Sequence, residues 1–322
     1  MSRRALVLGV GGFLGSHLAR YLLADGWVVT GVVRDLDSPH VATRLGSIAS
    51  DVRLVAGDAT DADLLGRLVQ GVDAVFPFAG HSGASRSLRE PFDDLVGNAG
   101  GQLAVLEALR HHNPGARVVF PGSRLQYGLA GRLPVGEDHP QQPVSLYGLH
   151  KMVGEHYHRL YHELYGLRTC SLRISNPYGP GQDRPDRAFG VVGNFLATAA
   201  SGEEIALYGG GTQLRDYVHV DDVVELCAIA ATHPAAIGEA FNVGGPAAVS
   251  VREMAEAVVR AVGRGRLAAA PWPAMEAAVE TGDYVSDLRR VHACLGWKPQ
   301  VDLETGLAGT WQALAPMLAK VV

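Results

Sequence analysis

Apolar residues fall in short β-branched runs separated by stretches with helical spacing, and this alternation organises the first half of the chain. Arg4–Gly9 predicts a strand, and Gly15–Leu23 predicts a helix from the spacing of Leu14, Leu18, Tyr21 and Leu22. Further strands are predicted over Trp27–Val33, Val52–Ala56, Ala74–Phe78, Arg117–Phe120 and Arg168–Ile174. Helices are predicted over Leu64–Val69, Asn98–His111 and Ser145–Tyr165. Strands alternating with helices at this spacing mean βαβ units, an α/β class and a parallel sheet covered on both faces.

After Asn176 the rhythm changes. Pro177–Pro185 reads as a loop, and the later elements are mixed: helix Val191–Ala200, strand Ile205–Tyr208, a Gly209–Gly211 turn, strand Asp216–Val220 and helix Asp221–Thr232. Strand Ala240–Val243, helix Val251–Val262 and a terminal helix over Leu303–Leu314 complete the pattern. The division predicted is residues 1–175 as one domain and 176–322 as a smaller, substrate-side domain, with some later segments returning to the first.

Composition narrows the classes. With 47% hydrophobic residues in 322, the chain can bury a sizeable core, which excludes disorder. A net charge of −5 argues against a nucleic-acid partner. No 18-residue run is both apolar and uncharged, and no cleavable leader pattern comes after the first apolar run, so neither membrane insertion nor export is expected. Cys170, Cys227 and Cys294 are odd in number and widely spaced, which fits reduced thiols in a cytoplasm and no metal site.

Of 28 basic residues only three are lysines, Lys151, Lys298 and Lys320. Lys151 stands four residues after Tyr147, on the same face of a predicted helix. Ten tyrosines and three lysines leave about 0.09 chance pairs at this spacing, so an incidental pair is a poor reading. An ammonium beside a phenol, together with a positive nicotinamide, favours a phenolate able to move a substrate hydroxyl proton. Ser123, just past the strand Arg117–Phe120, stands where carboxyl ends of parallel strands line a crevice, and its hydroxyl can donate to the same substrate oxygen.

Gly9-Val-Gly-Gly12-Phe-Leu-Gly15 comes after a strand and opens a helix, which suits a pyrophosphate set against helix N-terminal amides. At the end of the second strand Val33 stands where an acid normally accepts the ribose 2′-hydroxyl of NAD, and Arg34 comes next, pointing at the ribose, which favours NADP. Two alternatives stand beside it: Arg34 stacking on adenine, or Asp35 taking the acidic role. Asp58, ending the third strand, can accept from the adenine amine or cap a helix.

Together with Asp58, Asn98 and Arg173-Ile-Ser-Asn176-Pro-Tyr-Gly179-Pro, these motifs resemble the extended short-chain dehydrogenase/reductase superfamily. Gly211-Thr-Gln-Leu-Arg215-Asp-Tyr-Val-His-Val-Asp-Asp222 and Leu295-Gly-Trp297-Lys-Pro299 resemble its nucleotide-sugar epimerase/dehydratase branch, and the matches run from about residue 5 to 310. The resemblance implies a Rossmann doubly wound parallel sheet, a smaller mixed α/β nucleotide-sugar domain, and homodimers packed through the Tyr147 helix. It implies Tyr147 as base, Lys151 as its ribose-binding partner and Ser123 as hydroxyl anchor. The cofactor set it implies is Gly9, Gly12, Phe13, Leu14, Gly15, Arg34, Asp58, Ala59, Phe78, Ala79, Gly80, Asn98, Tyr147 and Lys151. The substrate set is Ser82, Ser123, Asn176, Arg187, Tyr208 and Arg215, with Asn176 at a phosphate and Arg215 clamping the diphosphate or ribose.

Dehydratases of the branch have Asp-Glu after the serine or threonine, whereas Ser123 precedes Arg124-Leu125, which disfavours elimination of water. The resemblance then implies a 4-epimerase that oxidises C4, rotates the keto-sugar and returns the hydride, ahead of an NADPH-dependent 4-keto-sugar reductase. A protein that binds the cofactor without catalysis is a third class, and retention of Ser123, Tyr147 and Lys151 argues against it. One departure stands out: Glu280-Thr-Gly-Asp283 carries an acid where the family has an arginine that grips the diphosphate. Either Arg215 with Arg187 or Arg184 then holds the diphosphate, or the donor is not the usual uridine nucleotide. His158 and His162, four apart on the Tyr147 helix, read better as solvated or dimer-facing than as metal ligands.

Overall fold

The computed structural model describes residues 2–182 and 190–318. Its strands are β1 (Arg4–Leu8), β2 (Val28–Val33), β3 (Arg53–Ala56), β4 (Ala74–Pro77), β5 (Arg117–Ser123), β6 (Arg168–Ile174), β7 (Asn176–Tyr178), β8 (Glu204–Tyr208), β9 (Leu214–His219), β10 (Glu239–Val243), β11 (Ala248–Ser250) and β12 (Arg266–Ala270). Seven of them form one parallel sheet in the order β10-β6-β5-β4-β1-β2-β3. Helices cover both faces, because side chains that alternate along each strand are apolar in both directions. Val7, Phe76 and Leu172 bury one face with helices Phe13–Ala24 and Val220–Thr232. Leu6, Val75 and Val118 bury the other with helices Ala62–Leu68 and Gly101–His112.

Strand order reverses at β1, with β2 and β3 on one side and β4, β5 and β6 on the other. A crevice opens beyond the carboxyl ends of the strands at such a reversal, and the glycine loop and Ser123 both lie there. The later half of the chain builds a β11-β9-β7 sheet and a β12-β8 pair. Leu196, Leu207, Met254 and Val258 form a separate core beneath helices Val191–Ala200, Val251–Val262 and Leu303–Leu318. Between these pieces β10 returns to the edge of the large sheet, beside β6. Among the described residues no helix is long and apolar enough to cross a membrane.

Three local departures bear on the site. The stretch from Pro177, expected as loop, begins as strand β7, which pairs with β9 from Asn176 opposite Tyr217. A proline is tolerated there because β7 is an edge strand. Strand β5 runs through Pro121 and Gly122 to Ser123, opposite Ile174 of β6, so Ser123 ends the strand instead of lying beyond it. The helix expected from Asn98 begins at Gly101, and Asn98 lies in a preceding π-turn, Val96–Gly100. The helices Pro39–Leu45, Ala84–Arg89, Pro91–Leu95 and Arg289–Leu295 carry no sequence signal, being too short to display a period.

Candidate active site

Ser145 caps the helix Leu146–Tyr165, its hydroxyl accepting from the Gly148 amide at 3.1 Å. Gly148 lets this helix start press against the turn after Ser123, since a Cβ would stand 2.3 Å from the Leu125 carbonyl oxygen. The Tyr147 amide donates to the Ser87 hydroxyl at 3.0 Å, fixing the first turn from the other side. Ser123 is held as firmly. Its hydroxyl accepts from the Leu125 amide at 3.2 Å, and its own amide donates to Gln126 Oε1 at 2.7 Å. Gln126 in turn donates to Glu155 at 2.9 Å, and Glu155 takes a two-pronged pair from Arg173 at 2.6 and 2.9 Å. The buried Arg173 of the sequence motif thus braces the serine turn through Glu155.

Lys151 is buried on the same helix, and its Nζ donates to the Pro121 carbonyl at 2.9 Å. That ammonium lies 5.8 Å from the centre of the Tyr147 ring and 5.3 Å from that of Phe120. Burial pushes Lys151 down to about 8, with the Asp94 carboxylate opposing. Burial pushes the Tyr147 phenol up to about 12; a hydrogen bond with the Ser123 hydroxyl works against this, and the Asp94 charge reinforces it. This agrees with the sequence expectation, in which the lysine acts together with a positive nicotinamide. The chain's own groups hold Tyr147 as a phenol, so a phenolate near neutrality needs charge brought in with the cofactor.

The glycine loop fits a dinucleotide pyrophosphate. Gly9 has φ +77°, and a Cβ there would lie 2.8 Å from the Ala79 amide nitrogen, so only glycine brings the loop this close to the segment after β4. Gly12 caps helix Phe13–Ala24 with no side chain on its first amides, leaving those of Phe13, Leu14 and Gly15 for an anion. Phe13 contributes backbone only, since its ring is buried in the core. Phe78, Ala79 and Gly80 come after β4, and Ala79 and Ala59 pack against one core cluster. Gly80 lies over Asn98, whose amide nitrogen donates to the His81 carbonyl and to Asp94, each at 3.0 Å.

Arg34 is exposed directly after β2, which keeps the expected register, and the exposed Asp35 carboxylate accepts from the Asp37 amide at 3.0 Å. Asp58 does not cap a helix. Its carboxylate accepts from the Thr60 amide and hydroxyl at 2.8 and 2.7 Å, which holds it below the usual carboxylate range, and Arg34 adds to this. The helix cap is Asp61.

On the substrate side, Asn176 accepts from Arg124 Nε at 2.9 Å, and Tyr208 ends β8 against Trp272 at 5.4 Å. Ser82 is exposed between Gly80 and Gly83. Arg187 lies outside the described residues, as does Arg184. Arg215 is buried and committed: it donates to the Leu214 and Gly282 carbonyls and pairs with Glu280. The acid that departs from the family pattern is therefore neutralised by the arginine expected to clamp the diphosphate. Nor is His158 solvated or dimer-facing. It is fully buried, stacked on Phe120 at 4.8 Å, with Nε2 3.1 Å from the Gln102 side-chain oxygen. Ser87, Asp94 and His150 join the site with no signal in the sequence. Only Arg124, as the residue after Ser123, has a visible one.

A family model described as NAD dependent epimerase/dehydratase family matches residues 5–244. A UDP-glucose 4-epimerase of Mycolicibacterium smegmatis is 36% identical over 312 residues, covering 95% of this chain and 97% of that protein. Among solved structures, the UDP-glucose 4-epimerase of Thermotoga maritima with UDP-glucose superposes with a TM-score of 0.88 at 28% identity, covering 98% and 99% of the two chains. A dTDP-glucose 4,6-dehydratase double mutant from Streptomyces venezuelae, solved with NAD bound, gives 0.87 at 28% identity and 97% of each chain.

Proposed function

This chain belongs to the NAD dependent epimerase/dehydratase family, and from that premise we propose that it is a nucleotide-sugar 4-epimerase acting on a nucleoside-diphosphate hexose. The observation that carries the reading is the convergence of Ser123, Tyr147 and Lys151 at the carboxyl end of β5, across the strand-order reversal from the glycine loop. Arg124 and Leu125, in place of an acid pair, support epimerisation over dehydration. Arg124 is engaged with Asn176 and Thr281, and neither it nor leucine can act as the second acid and base that elimination demands.

When bound, the nicotinamide supplies the hydride acceptor and then the hydride donor. Tyr147 takes the proton of the sugar C4 hydroxyl as the C4 hydrogen leaves. It returns the proton to the same oxygen once the keto-sugar has presented its other face. Ser123 donates to that oxygen and holds it at Tyr147 through both steps. Lys151 spends one ammonium hydrogen on Pro121, leaving two donors for the cofactor ribose, and its charge favours the phenolate. Arg34 favours NADP, and this supports a second reading, an NADPH-dependent 4-keto-sugar reductase.

The test is incubation of purified protein with NAD or NADP and a panel of UDP- and dTDP-hexoses, and then NMR of the sugars. Interconversion at C4 without net cofactor consumption is expected; stoichiometric NADPH oxidation selects the reductase. No reaction with any member of the panel overturns both. Tyr147→Phe should lower turnover by about 100-fold or more while leaving cofactor affinity within about twofold.

A further inference from the structure

Among the described residues, Arg124 is a buried cation without an ion-pair partner. It is 8% exposed, and its guanidinium donates to two neutral acceptors, Asn176 Oδ1 at 2.9 Å and Thr281 Oγ1 at 2.8 Å. Its planar face lies 5.4 Å from the Tyr284 ring centre. Two acids are near enough to act on it through space, Asp216 and Glu280, but neither forms an ion pair with it. Glu280 is taken by Arg215, and Asp216 accepts from the Ser286 amide at 2.8 Å. Burial, with the Arg215 charge beside it, lowers Arg124 to about 10, which leaves it charged at neutral pH.

A buried guanidinium whose hydrogen bonds go to neutral groups, with carboxylates reaching it only through space, carries a desolvation cost that an uncharged side chain of similar shape would not. A strut between β5 and the Thr281 segment needs no charge. Three of the five guanidinium hydrogens remain uncommitted among the described residues, in the fork that matches an oxyanion. Arg124 also comes directly after Ser123 and grips Asn176, so it borders the place where a sugar oxygen must meet Tyr147.

We propose that Arg124 binds an oxyanion of the nucleotide sugar, either a diphosphate oxygen or a carboxylate on the sugar itself. The inference rests on the nucleotide-sugar reading above. It also answers the departure at Glu280: Arg215 is occupied, and Arg124 brings the unspent positive charge to the same segment through Thr281.

The test is calorimetric titration of the cofactor-loaded protein with UDP, UDP-glucose and UDP-glucuronate, comparing wild type with Arg124→Met. Loss of a charged bidentate contact should weaken binding by about 10- to 100-fold. An equal loss for all three ligands assigns the diphosphate. A loss confined to UDP-glucuronate, with wild type preferring it to UDP-glucose, assigns the sugar carboxylate. Affinities within twofold of wild type for all three overturn the inference and leave the proposed function standing. A wild type that binds none of them overturns the nucleotide-sugar reading and the inference with it. Should Arg124→Met lose cofactor binding through misfolding, a crystal structure of the wild-type protein with UDP-glucuronate decides. An oxyanion within about 3.5 Å of the guanidinium is expected, and its absence there refutes the assignment.

Discussion

His150 Nδ1 lies 2.6 Å from an Asp94 carboxylate oxygen, with both side chains buried between the Tyr147 helix and the helix Pro91–Leu95. The Asn98 amide donates to the other side of that carboxylate, so the pair ties the π-turn to the helix that carries Tyr147 and Lys151. The Asp94 charge reaches both, opposing ionisation of Tyr147 and supporting the Lys151 ammonium.

Asp94→Asn is therefore expected to lower unfolding stability by about 2–4 kcal/mol, because a buried charge-assisted contact loses one partner. Paired with His150→Gln, it should show a coupling of at least about 1 kcal/mol in urea unfolding. With the carboxylate gone the phenolate is less disfavoured, so the rising limb of turnover against pH should move to lower pH. Additive single-variant effects and an unmoved limb would contradict both expectations.

Lys151 sets function against stability. Its folded value, about 8, is depressed from the usual 10.5, so the folded protein carries a penalty at and below pH 8 that is relieved as pH rises toward 10.5. The full penalty is about 3 kcal/mol, and the hydrogen bond to Pro121 offsets about 1 kcal/mol of what its removal would gain. Lys151→Met should thus stabilise the cofactor-free protein at pH 7 by about 1–2 kcal/mol, lose that gain by pH 10, and abolish turnover. A methionine variant less stable than wild type at pH 7 would contradict this.

The sheet and the Tyr147–Lys151 pair are legible in the sequence because both are periodic signals: alternating elements, and two residues on one helical face. Arg124 is visible there only as a missing acid. Nothing local in Ser123-Arg124-Leu125 tells that its guanidinium crosses to Asn176 and Thr281, more than 50 and 150 positions away. The Arg215–Glu280 pair is hidden for the same reason, since an ion pair 65 residues apart has no spacing rule. The surroundings of Tyr147 are only half legible in the sequence. The lysine is visible, but the burial and the Asp94 charge that raise the phenol are not.

Arg34 tests the cofactor. It is the first residue after β2 and exposed, and Asp35 accepts from the Asp37 amide, so a 2′-phosphate set there would meet the Arg34 cation. Fluorescence titration should give a lower Kd for NADPH than for NADH. Arg34→Ser should weaken NADPH by about tenfold and leave NADH within about twofold. Tighter binding of NADH to the wild type would reverse the assignment, and would align the chain with the dehydratase solved with NAD bound.

Leu149, Leu160 and Leu164 fall on one outer face of the Tyr147 helix, Leu164 being 67% exposed. The helix Pro91–Leu95 packs against that helix and presents Phe92 at 79% exposure, with Val96 just beyond its end. Apolar side chains massed on two adjoining helices are costly in water and mark an interaction surface. A second copy of the chain is the occupant we expect, and a homodimer formed this way would pack through the helix that also carries the candidate base. Light scattering should then give about twice the chain mass of 34.1 kDa. Phe92→Glu with Leu164→Glu should yield monomers, because two charges facing their own copies across such an interface leave four carboxylates desolvated and unpaired. Wild-type protein that stays monomeric at tens of micromolar would remove the dimer. A double variant that remains dimeric would move the interface to another face.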